Sequence, residues 1–305
     1  MTRSVHVLDP GLLTTVQDSG RPQGPSRGVA PGGAADPWAA RWANYLVGNA
    51  LGAAVLEATL VGPRLLLSGA AVLGVAGADM QVRVNGAPVP PGHAVRAEAG
   101  SVLESGSARR GARTYIAIDG GFATEQWLGS RSVDLAAGLG RPIATGDILP
   151  LGAPVAGAMR GPVENTCRLS ATVRATAGPD ASGGLAARVA RQNYRVSARS
   201  DRVGVRLDPE GGPSPWEGVG PAAWSRRLSV PMVTGAVQVT PDGTCLVLLP
   251  GRGISGGYPV PLVVIAADWP LVAQWAPGVT ARLAIVSREE AIAAWHEEGH
   301  AVPPA

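Results

Sequence analysis

The amino-acid sequence predicts a mainly β protein of the α+β class, organised in two parts. Glycine accounts for 42 and proline for 27 of the 305 residues, and this excess along the whole chain favours many short strands joined by tight turns. The apolar segments are short and either alternate with polar residues or are bounded by turn residues, which is typical of strands. Only three stretches carry the start signals and spacing of helices.

The N-terminal half begins with strand and turn residues at 5–16 and continues with a glycine- and proline-rich loop at 17–37. A loop of this length inside a compact domain is usually functional or disordered. Asp36 and Pro37 then predict the N-cap and the first residue of a helix, and Gly48 is placed to end it. One face of that helix is predicted from four large residues: Trp38, Trp42, Tyr45 and Leu46.

Short strands are predicted for the rest of this half. They lie at 55–61, 72–78, 82–89 and 114–121. The pair Asn85-Gly86 predicts a tight hairpin turn within the third strand segment. Glu57 is expected on the polar face of the first strand, with a structural hydrogen bond as its favoured role.

A stretch at 151–162 is apolar but has no periodicity and is rich in glycine and proline, which predicts a boundary. We therefore expect an N-terminal β-rich subdomain with one amphipathic helix at 1–155, a second subdomain at 163–292 and a C-terminal tail at 293–305. The second subdomain is predicted to contain a helix at 185–192 among several strands. Those strands lie at 169–175, at 194–207 (two strands about a turn at Ser200 and Asp201), at 233–239, at 245–250 and at 262–267.

The last predicted helix lies near 288–296. Ser287 and Glu290 form the capping-box pattern at its start.

The charged residues and cysteines exclude several kinds of chemistry. All 26 basic residues are arginine, the sequence contains no lysine, and the formal net charge is only +3. This excludes a Schiff-base or catalytic lysine, a G-K-[ST] phosphate loop and a biotin-carrying lysine on this chain. Cys167 and Cys245 are too few for a disulfide framework and lack the spacing of metal ligands, so no metal is expected. Without a signal peptide or an apolar run of roughly 18 residues, we expect a soluble cytoplasmic protein with no membrane partner.

Three motif-like strings are better explained without the function that they suggest. HEEGH at 296–300 matches the zinc-protease pattern, but Gly299 weakens the helix that must present both histidines, and a solvated tail is favoured. GRGISG at 251–256 matches a dinucleotide fingerprint, but the prolines that follow it are incompatible with the required helix. Six arginines between 188 and 206 have helical spacing, but Gly204 and alternating valines indicate a strand, and the small net charge argues against a nucleic-acid partner.

Several segments together resemble one protein family. They are LTTVQDSGRPQGPSRGVAPGGAADPWAARWANYLVGN (13–49), LEATLVGP (56–63), GAD (77–79), YIAIDGGF (115–122), LGSRSVDL (128–135), RSDRVGVRL (199–207), GAVQVTPDG (235–243) and SGGYPVPLVVIAADWPLVAQWAPG (255–278). The segments are collinear over residues 5–292, and the strings T-V-Q-D-x-G-R and S-D-R-x-G-x-R-L are specific. They resemble the C subunit of bacterial ATP-dependent 5-oxoprolinase, a family also called biotin-dependent carboxyltransferase, allophanate hydrolase subunit 2 or kinase-inhibitor antagonist. The chain departs from the family at 249–259, where an aspartate- and threonine-rich turn is usual, and at 203–205, where Met-Gly-Tyr is usual.

The resemblance implies a β-rich fold with a cyclophilin-like β-barrel in the second half. It also implies an enzyme subunit, inactive alone, that works with a B subunit of related fold and with an A subunit. The implied reaction opens 5-oxoproline to glutamate and uses ATP with Mg²⁺ at the level of the complex. Two alternatives stay open: the carboxyltransferase part of a urea carboxylase, with biotin on another chain, and a non-catalytic module that binds a kinase-inhibitor-like B subunit.

The two specific strings supply most of the candidate site residues. Opening a lactam calls for cations to bind carboxylate or phosphate, donors for a developing oxyanion and an acid/base carboxylate. The candidate catalytic residues are Asp18, Asp201 and Arg202. The candidate substrate-binding residues are Gln17, Arg21, Ser200, Arg206, Gln238 and Tyr258. For the pairs Asp18/Arg21 and Asp201/Arg202, the alternative role is a salt bridge that stabilises a turn, with the Asp capping backbone amides. The Asp201/Arg202 pair is expected to be exposed.

Overall fold

A computed structural model describes residues 3–157, 159–164, 166–212, 214–217 and 228–299. They form two compact units, an N-terminal unit of 3–24 with 31–168 and a C-terminal unit of 25–30 with 169–299. Strands make up 34% and helices 14% of the chain, so the predicted mainly β class is confirmed.

The N-terminal unit contains two antiparallel sheets. Its strands are β1 (Ser4–Asp9), β2 (Leu13–Gln17), β3 (Val55–Thr59), β4 (Arg64–Leu67), β5 (Ala71–Asp79), β6 (Arg83–Val84), β7 (Ala87–Pro88), β8 (His93–Ala97), β9 (Val102–Glu104), β10 (Arg110–Ile118) and β11 (Ile148–Pro150). One sheet has the order β11-β1-β4-β9-β6-β7 and the other β2-β3-β10-β5-β8. The hairpin predicted at Asn85 and Gly86 is confirmed, because both residues have positive φ, 50° and 81°, between β6 and β7.

The main core of this unit is formed by side chains from both sheets. Val5 and Leu65 from the six-stranded sheet belong to the same buried cluster as Leu56, Leu73 and Ile116 from the five-stranded sheet. All five are at most 1% exposed. Burying such side chains is the dominant stabilising contribution in a β sandwich of this kind.

Helix α1 (Pro37–Leu46) packs on the five-stranded sheet, and its predicted start is confirmed, since the Asp36 carboxylate accepts a hydrogen bond from Ala39 N at 3.0 Å. The predicted face was wrong in part. The helix buries small residues, Ala39 and Ala43 among them, whereas Trp42 and Tyr45 are only half-buried. The reason is the close approach of helix to sheet. A Cβ added at Gly74 of β5 would lie 2.7 Å from Ala43 O, which leaves no room for large side chains there.

The C-terminal unit is a closed barrel with helices. Its strands are β12 (Thr172–Ala177), β13 (Tyr194–Val196), β14 (Gly204–Pro209), β15 (Val230–Pro231), β16 (Ala236–Val239), β17 (Cys245–Leu248), β18 (Ser255–Gly256), β19 (Leu262–Val264) and β20 (Thr280–Ile285). Its α-helices are α2 (Leu185–Ala190), α3 (Trp269–Ala273) and α4 (Arg288–Gly299). The barrel order is β12-β19-β16-β17-β14-β13-β20, which confirms a barrel in the second half of the chain.

The interior of this barrel is filled by its own side chains. Val205, Val237, Val247 and Leu262 occupy directly paired positions on four adjacent strands and are at most 1% exposed. A small barrel whose inward positions carry such residues has a core packed by side chains.

Candidate functional site

The first specific string holds a second segment of the N-terminal unit in place. The Asp18 carboxylate accepts hydrogen bonds from Ser130 Oγ, Arg131 N and Ser132 Oγ, each at 2.6 Å, and from Gly20 N at 2.8 Å. Four donors converge on one half-buried carboxylate, which fixes the backbone of 130–132.

Arg21 and Gln17 bind the same segment. Arg21 is 1% exposed; it donates from Nε to Trp127 O at 3.3 Å and from Nη2 to Ser132 O, and its Nη1 lies 3.8 Å from the Asp134 carboxylate. Gln17 is fully buried and donates from Nε2 to Val133 O at 3.1 Å. The structure thus brings Gln17, Asp18 and Arg21 together around residues 127–134. Asp18 caps a backbone amide, that of Gly20, as the alternative role expects, whereas the carboxylate near the buried Arg21 is that of Asp134 and not that of Asp18.

Glu57 is buried, so its expected place on a polar strand face was also wrong. It is 1% exposed, and its Oε2 accepts from Ala35 N and from the Tyr115 hydroxyl, both at 2.8 Å. Burial, followed by the charge of Asp36, raises the pKa of Tyr115 well above its usual value, so the phenol stays a donor. This network ties the loop before α1 to β3 and β10.

In the C-terminal unit, Ser200 and Asp201 shape the turn between β13 and β14. The Ser200 hydroxyl donates to Ser197 O at 2.8 Å and accepts from Arg206 N at 3.0 Å. Asp201 Oδ1 accepts from Val203 N at 2.8 Å and from Gly204 N at 3.1 Å. These contacts make a side-chain-stabilised turn.

Arg202 is buried, so its expected exposure in the turn was wrong. Arg202 is 8% exposed, and burial lowers the pKa of its guanidinium to about 10. Burial of a guanidinium disfavours its charged form, so this side chain is held at an energetic cost.

Arg252 lies in the neighbouring turn and was missed as a candidate. It is 8% exposed, burial lowers its pKa, and its Nε has no hydrogen-bond partner among the described residues. The two turns are joined by a hydrogen bond from Leu249 N to Val203 O at 3.0 Å, and a Cβ at Gly251 would lie 2.7 Å from Arg202 O. An arginine between two glycines after a strand, in the turn where the chain departs from its family, is the signal that could have indicated it.

Arg206 and Gln238 lie on the outer face of the barrel. Both pair directly with Leu246 of β17, so all three side chains point to the same side of the sheet. Gln238 is 6% exposed, and its Nε2 contacts Met232 Sδ at 3.6 Å and packs against Gly256. Tyr258, 44% exposed, follows β18. Six candidates therefore lie in the C-terminal unit and three in the N-terminal unit.

The structure describes one motif-like string in full and another in part. GRGISG contains a turn and the short β18 where a fingerprint requires a helix. HEEGH begins inside α4, and His300 lies outside the described residues. Among the residues that the structure describes, no group of three or more His, Cys, Asp or Glu side chains is arranged to hold a metal. None of the described helices combines the length and the apolar composition needed to cross a bilayer.

We expect both thiols to be unreactive in the folded protein. Burial raises the pKa of Cys167 and of Cys245 to about 12. A thiol reacts as its thiolate, so at pH 8 the reactive fraction is roughly a thousand times smaller than for a free cysteine. Titration with Ellman's reagent should therefore detect the thiols only after denaturant is added. Fast labelling of either cysteine without denaturant would contradict this.

Comparison with known proteins shows the family of this chain. The sequence profile of a family described as carboxyltransferase domain, subdomain A and B, matches residues 27–285. The 5-oxoprolinase C subunit from Escherichia coli (strain K12) is 30% identical over 300 residues, covering 96% of this chain and 94% of that protein. Urea amidolyase from Lachancea kluyveri is 29% identical over 93% of this chain, but the match covers only 17% of that protein.

A solved structure shows the same architecture. The crystal structure of TTHA0988 superposes with a TM-score of 0.82 at 35% identity, covering 94% of this chain. This chain spans 56% of the length of TTHA0988. The barrel, the collinear strings and these matches lead to one conclusion: the chain belongs to the carboxyltransferase domain family with subdomains A and B.

Proposed function

We propose that this chain is the C subunit of an ATP-dependent 5-oxoprolinase, acting in the cytoplasm with a B subunit and an A subunit. The observation that carries this proposal is the extent of the match. The chain corresponds to 94% of a separate 5-oxoprolinase subunit, whereas it corresponds to 17% of a urea amidolyase.

The chemistry of the proposed reaction suits arginine-rich turns. A lactam carbonyl is a poor electrophile, and ATP with Mg²⁺, bound at the level of the complex, supplies the phosphoryl group that activates it. Arg202 and Arg252 are cations held in a desolvated setting, where they stabilise an anionic group more strongly than they would in water. We assign them to binding the anionic phosphoryl groups that ATP brings to the complex. Asp201 and Ser200 hold the turn, and Arg206 and Tyr258 offer further contacts on the barrel surface. Gln238 is covered by Met232 and Gly256 and supports this face from below.

In the N-terminal unit, we assign Gln17, Asp18 and Arg21 to positioning. Each of them contacts the 127–134 segment, and their polar groups are engaged in those contacts. Asp18 was predicted as a catalytic residue, and its four accepted hydrogen bonds support a positioning role instead.

Carboxyl transfer to urea is a second candidate, favoured by the match to a urea amidolyase over 93% of this chain. The sequence has no lysine, so the biotin of such a reaction must be carried by another chain. A third possibility is a regulatory module that binds a kinase-inhibitor-like B subunit.

We expect the purified chain to hydrolyse no ATP in response to 5-oxoproline, and to form a stable heteromer with a co-expressed B subunit. The shared subunit name of its relatives and the missing G-K-[ST] loop support this expectation. Size-exclusion chromatography with light scattering at micromolar concentration measures the complex, and an ADP assay measures turnover. Separate elution of the two proteins, or robust turnover by this chain alone, would contradict the proposal.

A further inference from the structure

A cavity of about 380 Å³ lies in the N-terminal unit beside the 127–134 segment. It falls within the size range of small-molecule sites, roughly 300–1,000 Å³. Trp127 and Arg131 both line it, and none of the candidate site residues does.

Two arginines line the cavity, and one of them, Arg131, is available to bind an anion. Arg141 is held by Asp147 through two hydrogen bonds of 2.7 and 2.8 Å. Arg131 also lines the cavity, but its guanidinium makes no hydrogen bond or ion pair with another described residue. Glu125 supplies a second carboxylate. Two arginines and two carboxylates balance, so the lining is formally neutral.

Most of the remaining lining residues are apolar. Val133, Ile143 and Leu149 are each at most 8% exposed. The Trp127 ring packs against Gly140, where an added Cβ would lie 2.9 Å from the ring. An aromatic side chain, an apolar base and one available guanidinium are typical of a site for a small amphipathic anion.

The first specific string fixes the backbone of Trp127 and Arg131, which both line the cavity. Asp18 accepts from Arg131 N at 2.6 Å, and Arg21 Nε donates to Trp127 O at 3.3 Å. Side chains whose backbone is fixed in this way are preorganised for binding, which lowers the entropic cost of recognition.

We infer that this cavity binds the 5-oxoproline ring, with the substrate carboxylate on the guanidinium of Arg131. This inference rests on the proposed function. The neutral lining with one available cation fits a monoanion, whereas a nucleoside triphosphate would bring several uncompensated negative charges to it. A planar guanidinium can bind a carboxylate through two parallel hydrogen bonds.

The test is Arg131→Ala in the complex reconstituted from all three chains. Loss of a charge-assisted anchor should raise the KM for 5-oxoproline about 10- to 100-fold, with kcat within about twofold and the KM for ATP unchanged. Arg131→Lys should be intermediate, because it keeps the charge but loses the fork. Arg64→Ala is the matched control. Arg64 lies in the same unit, is 55% exposed and pairs with Glu104, and it does not line the cavity.

Ligand-detected NMR with the full chain separates this inference from the proposed function. 5-Oxoproline should bind, 2-pyrrolidinone (the same ring without the carboxylate) should not, and Arg131→Ala should abolish binding while its melting temperature stays near that of the wild type. If another ring carboxylate, such as pyrrole-2-carboxylate, binds through Arg131 and 5-oxoproline does not, the carboxylate cavity stands and the proposed function fails. If the complex opens 5-oxoproline and Arg131→Ala leaves its KM unchanged, the function stands and the cavity inference is overturned. Absence of binding by every ring carboxylate also overturns it.

Discussion

Replacing Asp18 by alanine should destabilise the N-terminal unit by about 2–4 kcal/mol. The change removes a carboxylate that accepts four hydrogen bonds and leaves two backbone and two hydroxyl donors without it. The melting temperature should fall by roughly 5–10 °C. The KM for 5-oxoproline should rise as well, because Arg131 loses its backbone support.

Asp9→Ala is the matched control for Asp18→Ala. Asp9 is exposed, and its carboxylate accepts a hydrogen bond from Gly11 N, so its loss should cost less than about 1 kcal/mol. Differential scanning calorimetry and steady-state kinetics on the same preparations separate two roles. A variant of Asp18 that melts like the wild type but loses kcat would contradict a positioning role and restore Asp18 as a catalytic residue.

Replacing Arg252 by methionine should lower kcat by roughly a hundredfold without lowering stability. The activity loss is on the scale of one electrostatic stabiliser in a desolvated site. The stability expectation follows from the pKa. Burial lowers the pKa of Arg252, which means that folding disfavours its charged form and that the charge opposes folding at neutral pH. Methionine keeps much of the side-chain length and removes the charge, so the melting temperature should stay constant or rise.

Arg195→Met provides the control for Arg252→Met. Arg195 lies on β13 of the same barrel, its side chain is 58% exposed, and it pairs with Glu210. Its replacement should change both kcat and melting temperature little. A large fall in the melting temperature of Arg252→Met, with activity in proportion to the folded complex, would show that Arg252 has a structural role.

Local signals predicted much of the fold because the physics that produces those elements is local. The Asp36 cap and the Asn85-Gly86 turn each depend on a few neighbouring residues, and both appear as predicted. The buried face of α1 depends on contact with the sheet. Gly74 admits the helix closely only because of its place in β5, so Trp42 and Tyr45 were wrongly expected on the buried face.

The candidate site was harder to predict because its contacts span long sequence separations. Arg131 is held by Asp18 from 113 positions away, and nothing in the residues around Arg131 indicates that partner. Arg202 and Arg252 share a desolvated setting only because the turns that carry them are neighbours. The sequence shows where an arginine lies along the chain but not whether its side chain is buried, and burial is what changes its pKa.

The most direct measurement is glutamate formation from 5-oxoproline by the A and B subunits with and without this chain. With ATP and Mg²⁺ present, we expect glutamate and ADP to appear in equal amounts only when all three chains are combined. In parallel, urea, bicarbonate and a biotin carboxylase with its biotinylated carrier should give no carboxylated urea with this chain. Equal glutamate formation without this chain, or biotin-dependent carboxylation of urea in its presence, would contradict the account.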